Sequence, residues 1–461
     1  MTTPALRRGL RTLGTLLITL SAISPASSVF IIAPGVLAGA GTGAFFSFAA
    51  AAVVGVFMAF VYAELASAFP VAGGEYAIVA RTLGRLPGFA VLGLMIITQV
   101  LIVAVIALGV GTYLGVLFPG LPGPVAAAVT CVLAAGVGVF DIKLNAWVTG
   151  IFLAIEILAL VVVGALGLLH PARPLTDLVA HPVAAGGGPA TIGAIAIATS
   201  VAMFAYNGYG SAVYFGEETQ DAPRGIARAI LLALAITVVA ELVPVTAVLL
   251  GAPDLGALFG SENMLSTFIT ARGGSTLDTV LSLAVALAIM NAVLAIVLIS
   301  SRLVFSSGRD RAWPGAINRA LAAVHPRFGT PWVATAGTGI VAAALCFVDP
   351  QLLLVVTSTS IVAVYAALCL GAIVGRRTGA TAHAQYRMPW FPVAPVLALA
   401  VLVFVVYQNV VDPAVGRPSL IVTAGIVLLA VGYYVLVLRR RGGWQLAEPV
   451  GEETAEEPAR D

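Results

Sequence analysis

The 461 residues are 60% hydrophobic and only 10% charged, with a mean hydropathy of +1.06 and a net charge of +2. Apolar runs of that density exclude an ordinary soluble domain and identify an all-α polytopic membrane protein whose solvent is the lipid bilayer. The small net charge selects no further partner class; nucleic acid is not expected, and no oligomeric state follows.

In chain order, the first apolar run, about residues 12–40, follows Arg7, Arg8 and Arg11 as a signal peptide would. It is too long for one and eleven more runs follow, so it reads as a retained first helix. Its centre, Ser24-Pro25-Ala26-Ser27-Ser28, places a residue without an N–H beside side chains that compete for backbone hydrogen bonds. Twelve spans are expected: 12–40, 44–69, 89–118, 124–140, 146–169, 191–216, 226–251, 278–306, 332–348, 351–374, 392–410 and 418–438. The sixth is interrupted at Asn207-Gly208-Tyr209-Gly210, poor helix material because glycine loses the most backbone entropy on ordering.

With the N-terminus inside, twelve crossings put 20 of the 23 lysines and arginines on the inner side, leaving Arg173, Arg272 and Arg417 outside. Trp147, Trp332 and Trp390 begin spans on that inner side, at headgroup depth. Both termini are therefore expected in the cytoplasm and the protein in the cell membrane. Cys131, Cys346 and Cys369 fall inside apolar runs and His170, His181, His325 and His383 in loops, so neither a disulfide framework, a metal site nor a cofactor is expected.

Span lengths repeat: the third and eighth are long, the fourth and ninth short, the first and sixth interrupted. Five is an odd number, so the second set enters the membrane inverted relative to the first. The expected organisation is residues 1–11 as N-terminus, 12–169 and 191–375 as two inverted five-helix repeats, 392–438 as helices 11 and 12, and 439–461 as a disordered acidic tail. That tail carries Glu448, Glu452, Glu453, Glu456 and Glu457.

Interrupted helices at bilayer depth are tolerated only where protein or a wet cavity covers the freed backbone, and a matched pair points to a transporter's substrate site. Each break exposes N–H groups suited to a carboxylate and C=O groups suited to an ammonium, which together match a zwitterion such as an amino acid.

Local motifs add a resemblance. The second span and its loop carry Tyr62-Ala63-Glu64-Leu65 and Phe69-Pro70-Val71-Ala72-Gly73-Gly74-Glu75-Tyr76. The sixth carries Phe204-Ala205-Tyr206-Asn207-Gly208-Tyr209 and leads to Glu217-Glu218 and Asp221-Ala222-Pro223-Arg224. Ser301-Arg302 ends the eighth, with Gly308-Arg309-Asp310-Arg311-Ala312-Trp313-Pro314 beyond it. This set resembles the amino acid–polyamine–organocation transporter superfamily over about residues 12–375. The resemblance implies the leucine-transporter-type fold of five plus five inverted helices. It puts Ser27 and Ser28 at the substrate carboxylate, the carbonyls of Ile23, Ser24, Phe204 and Ala205 near the amine, and Phe204 as an aromatic gate. Ala26, Tyr206, Gly208 and Asn291 complete the expected substrate-binding set. Two departures stand out: Ala26-Ser27-Ser28 replaces the glycine-serine-glycine of many members, and Gly210 stands where members handling cationic substrates carry an acid.

Ionisable groups at bilayer depth are costly and commonly functional. Glu156 lies midway along span 5, where proton-coupled relatives carry lysine, and is the expected coupling residue; Ser300 and Ser301 are expected to complete a small-cation site with it. Glu241, three residues before Pro244, is expected to bind backbone freed by the kink. Gln99, Asn291 and Thr357-Ser358-Thr359-Ser360 suit interhelical bonding as well as substrate contact. The expectation is a secondary active transporter of amino acids or related small amines, working by proton-coupled uptake. The alternatives are an exchanger, a symporter coupled to sodium, or a non-transporting nutrient sensor of the same fold. No constellation of embedded histidine, cysteine or metal ligands argues for an enzyme.

Overall fold

The computed structural model describes residues 6–117, 120–441 and 444–446. Among these residues the chain is helical, and its extended pairings are isolated ones, Leu10 with Thr219 and Val183 with Pro189. The helices are α1 (Thr12–Ile23), α2 (Pro25–Ser27), α3 (Ala33–Ala40), α4 (Ala44–Ala68), α5 (Glu75–Thr82), α6 (Arg85–Leu117), α7 (Gly123–Gly138), α8 (Ile142–Leu169) and α9 (Leu175–Ala180). Then follow α10 (Ile192–Ala205), α11 (Ala222–Gly251), α12 (Leu255–Phe259), α13 (Met264–Arg309) and α14 (Gly315–Leu321). The last are α15 (Trp332–Leu345), α16 (Pro350–Ser358), α17 (Ser360–Thr378), α18 (Val393–Val411) and α19 (Gly416–Tyr433).

Nine stretches of the described residues are long and apolar enough to cross a bilayer. The first, Thr12–Ala68, has 57 residues. At 1.5 Å per residue that is about 85 Å of helix, room for two crossings, with a turn at Gly41–Gly43. The apolar helices α7 and α15 are shorter and pack together where Gly339 meets Ala135 and where the Cys131 and Cys346 sulfurs stand 3.9 Å apart. Side chains such as Leu158, Val239, Val403 and Leu429 are exposed, an apolar exterior matched to lipid rather than water. Small residues bring the helices close: Gly167 of α8 and Gly251 of α11 leave no room for a Cβ between the two backbones.

The breaks form as local chemistry dictates. α1 stops at Ile23 because Ser24 turns left-handed (φ 50°), returning its N–H to Leu20 O, and Pro25 then starts α2 where no N–H is needed. The backbone continues through one wide π-helical turn, Ser28–Ile32, into α3. α10 ends at Ala205, Gly208 takes φ 121°, and a 3₁₀ segment, Tyr209–Phe215, follows.

Two expectations need correction. The run 351–374 is two helices, because Thr359 turns its N–H and hydroxyl to Ser419 of α19 (3.2 and 2.9 Å) and its hydroxyl also meets Thr423 at 2.6 Å. The tail expected to be disordered over residues 439–461 is docked at 444–446, the part of it beyond Arg441 that the structure describes. Burying the Trp444 indole against Tyr76 and Phe89 removes a large apolar surface from water, and Gln445 N–H donates to Asp310 O. The five tail glutamates, like residues 1–5 and the last residue of the third expected span, lie outside the described residues.

Both ends of the described chain meet one buried polar layer. Gly9 and Leu10 N–H groups donate to Glu218 O, and Gln220 N–H returns a bond to Leu10 O. Arg302 clasps Glu218 with two bonds (2.8 and 2.9 Å), and Arg309 pairs with Glu217 at 2.5 Å. Arg376 clasps Glu64 in the same bidentate way (2.7 and 2.6 Å). Acidic and basic residues that stand in separate motifs along the sequence thus become partners, joining helix ends on the side where residues 6–10 and 444–446 lie.

Candidate functional site

The two breaks touch. Ser28 Oγ donates to Ala205 O across 2.9 Å, tying the first break to the second, and a side chain at Gly208 would strike Ile23. Around this junction lies a cavity of about 370 Å³, at the small end of the range for ligand pockets. It extends from Tyr62 and Glu75, near the ion-pair layer, past the breaks to Ile31, Ile106 and Gly109. Its walls are mainly aliphatic, from Ile23, Met95, Ile102, Val105, Ile296, Ile299, Ile361 and Val364. Ser24, Ser27, Ser28, Asn207 and Ser211 bring polar groups to it at the breaks.

Of the expected substrate residues, Ile23, Ser24, Ser27, Ser28, Phe204, Ala205 and Gly208 line this cavity. Phe204 remains about half exposed, so its ring does not seal the cavity. Ala26, Tyr206 and Asn291 stand outside its lining. The Ala26 N–H, one of the first donors of the half-helix after the break, is already taken by Glu156. The Asn291 amide donates to Thr149 O and so bridges α13 to α8. Tyr206 is buried with its ring against Phe48 and its hydroxyl unpartnered among the described residues.

Glu156 reaches the first break from α8. Its Oε1 accepts from Ala26 N–H (2.8 Å) and Ser24 Oγ (3.0 Å), while Oε2 has no partner among the described residues. A carboxylate of the protein therefore caps the very half-helix that was expected to receive the substrate's carboxylate. The expected union of Glu156 with Ser300 and Ser301 is not made. Ser300 donates to Ile296 O and Ser301 to Leu298 O, and the Ser301 oxygen also accepts from the Arg302 guanidinium at 3.1 Å. A fixed cation at that hydroxyl disfavours a second one. Glu241 also departs from expectation: neither oxygen finds a partner among the described residues, backbone or otherwise, although Pro244 lies within its helix.

Several residues at the cavity were not foreseen as site residues. Tyr365 donates to Asn207 Oδ1 (2.5 Å), fixing the second break from α17. Tyr62 donates to Glu75 Oε1 (3.2 Å), and Tyr214 faces the same carboxylate from beyond hydrogen-bond geometry. Glu75 begins the short helix α5, outside the spanning stretches, and burial pushes its carboxyl up to about 7 against the opposing pull of those tyrosines. In the sequence Glu75 stood in the Phe69–Tyr76 motif that carries the resemblance, an acid in a glycine-rich loop with no sign that it turns toward the cavity. Its inward course depends on Gly74, at φ 57°, where a Cβ would collide with the Tyr214 ring.

The family model described as amino acid permease matches residues 10–432, nearly the whole described fold and both breaks. The chain belongs to the amino acid permease family, within the amino acid–polyamine–organocation superfamily. Permeases of this family are transporters, not enzymes. An uncharacterized transporter of Mycobacterium tuberculosis (strain ATCC 25618 / H37Rv) is 34% identical over 345 residues, 74% of each chain. The branched-chain amino acid permease BcaP of Bacillus subtilis (strain 168) is 24% identical over 401 residues, covering 82% of this chain and 83% of its own. A methylthioribose transporter of the same organism is 25% identical over 440 residues, 90% of each.

Proposed function

We propose that this permease is a secondary active transporter for neutral amino acids with aliphatic side chains, driven by the proton gradient and working by alternating access. The observation that carries the reading is the cavity: about 370 Å³, walled mainly by isoleucine, valine and methionine, with one set of polar groups at the two breaks and another, Tyr62, Glu75, Gln99 and Tyr214, at one end. Such a cavity suits a zwitterionic head at the breaks and a branched aliphatic tail against the wall. The similarity to a branched-chain amino acid permease agrees with it. The transport frame is twelve spans, with two inverted sets of five rocking about the breaks, and with both termini in the cytoplasm. In this arrangement the buried Glu218–Arg302 and Glu217–Arg309 pairs, and the Glu64–Arg376 pair whose arginine is partly exposed, hold the cytoplasmic side closed.

Coupling is assigned to Glu156. Ionised, it holds the Ala26 N–H and Ser24 hydroxyl and fixes the first break; protonated, it holds them more weakly and frees the half-helix to tilt. The test is uptake of labelled L-leucine by proteoliposomes. An inward proton gradient should drive accumulation above the external concentration, and a sodium gradient alone should not. Binding without accumulation would refute proton-driven uptake, and if labelled leucine also failed to exchange with leucine loaded inside, it would refute transport in favour of a sensor.

A further inference from the structure

The cavity wall carries a carboxylate of its own, Glu75, separate from Glu156, which stands outside the lining, and unused by the coupling just assigned. Glu75 lines the cavity wall and is only 4% exposed. One of its oxygens accepts from Tyr62; the other, Oε2, has no partner among the described residues. Nor does a cation among those residues offset it. The groups facing it are Tyr62 on α4, Tyr214 on the 3₁₀ segment and Tyr365 on α17, with uncharged Gln99 from α6 beside Tyr214. The nearby arginines are committed elsewhere: Arg302 to Glu218, Arg309 to Glu217 and Arg376 to Glu64. On its own helix, Tyr76 is bound to Ser306 and Asp310, and Arg81 donates to Ala77 O.

We propose that Glu75 is a proton-binding site of the central cavity, taking up a proton from solvent when a neutral amino acid enters and returning it when the cavity empties. Its ligand is the proton, and the inference rests on the reading that this cavity holds the substrate. The physical cause is desolvation. Oε2 is itself shut off from contact with water, but the residue lines the cavity, so water filling the empty cavity supports the carboxylate's charge from close by. An aliphatic side chain in the same space displaces that water and offers no hydrogen bond, so the charged form loses its support and the neutral acid is favoured. With its carboxyl already raised to about 7 by burial, a modest further change is enough to switch its state near neutral pH. The alternative place for an acid at this end of the cavity, position 210, is closed: a Cβ on Gly210 would lie 2.6 Å from the Tyr62 ring. Glu75 is the carboxyl that reaches there.

The test is calorimetric titration of purified permease with L-leucine in buffers of different ionisation enthalpy, repeated across about pH 6 to 9. Leucine binding should take up protons, and its Kd should rise by up to about tenfold per pH unit on the alkaline side, since binding then requires a proton from ever scarcer supply. Glu75→Gln, which keeps an acceptor for Tyr62, should lose the Glu75 share of that proton uptake and show a correspondingly shallower rise of Kd with pH. Glu75→Asp should recover uptake, and Glu156→Gln should retain the part due to Glu75. Leucine binding without proton uptake, or uptake undiminished in Glu75→Gln, would overturn the proposal while leaving the transport reading intact. Failure of the wild type to bind leucine at any pH would overturn the substrate reading itself, and this inference with it.

Discussion

Gly208→Ala tests the contact between the two breaks most directly. Gly208 sits at φ 121° and ψ −17°, outside the regions open to residues with a Cβ. Forcing alanine there costs about 1–3 kcal/mol of backbone strain. The new methyl would also stand 2.9 Å from Ile23 Cγ1 and 3.3 Å from Ile23 Cα. Because the second of these is backbone, relief requires moving the first break, and overpacking of that kind costs about 1–3 kcal/mol more. The middle of the two ranges sums to about 4 kcal/mol, nearly a thousandfold at about 1.4 kcal/mol per factor of ten, against the arrangement that builds the cavity. Leucine affinity, measured by equilibrium binding to matched amounts of monodisperse protein in proteoliposomes, should fall by about two to three powers of ten. Gly35→Ala is the control: its Cβ would meet open space within helix α3, and affinity should stay within about twofold of wild type. A Gly208→Ala protein that binds and transports leucine within about threefold of wild type would show that the junction of the breaks does not shape the site.

Glu156→Gln keeps an amide oxygen to accept from Ala26 N–H but carries no exchangeable charge, so leucine binding and exchange across proteoliposomes should persist while accumulation driven by a proton gradient is lost. Undiminished proton-driven accumulation would leave Glu156 a structural cap of the half-helix. Arg302→Met strands the fully buried Glu218 without its cation and should cost about 3–5 kcal/mol, read as a lowered unfolding temperature of the purified protein. Adding Glu218→Leu should recover most of the loss, because the unpaired charge, rather than the missing bond, is the main penalty. If the single variant unfolds at the wild-type temperature, the pair is not holding the closed side together.

What the sequence determined by itself was whatever local chemistry controls. The apolar runs required a membrane solvent, Ser24-Pro25 had to interrupt a helix, and glycines around Asn207 made a second interruption natural. Each follows from backbone geometry and hydrogen bonding within a few residues. Tertiary structure decided which side chains meet. Helices that are apolar on every side carry no amphipathic stripe to declare which face is inward, so the pattern could not say that Glu156 turns to Ala26 or that Tyr365 turns to Asn207. Those partners stand 130 and 158 residues apart and are set by how whole helices pack. The same holds for Ser300 and Ser301, whose hydroxyls satisfy their own helix instead of Glu156, and for Glu241, left without a partner among the described residues beside Pro244. Glu75 is the clearest case. In the sequence it is one acid in a glycine-rich loop; only the fold, by turning Gly74 beneath the Tyr214 ring and walling the carboxylate with three tyrosines, makes it part of the cavity.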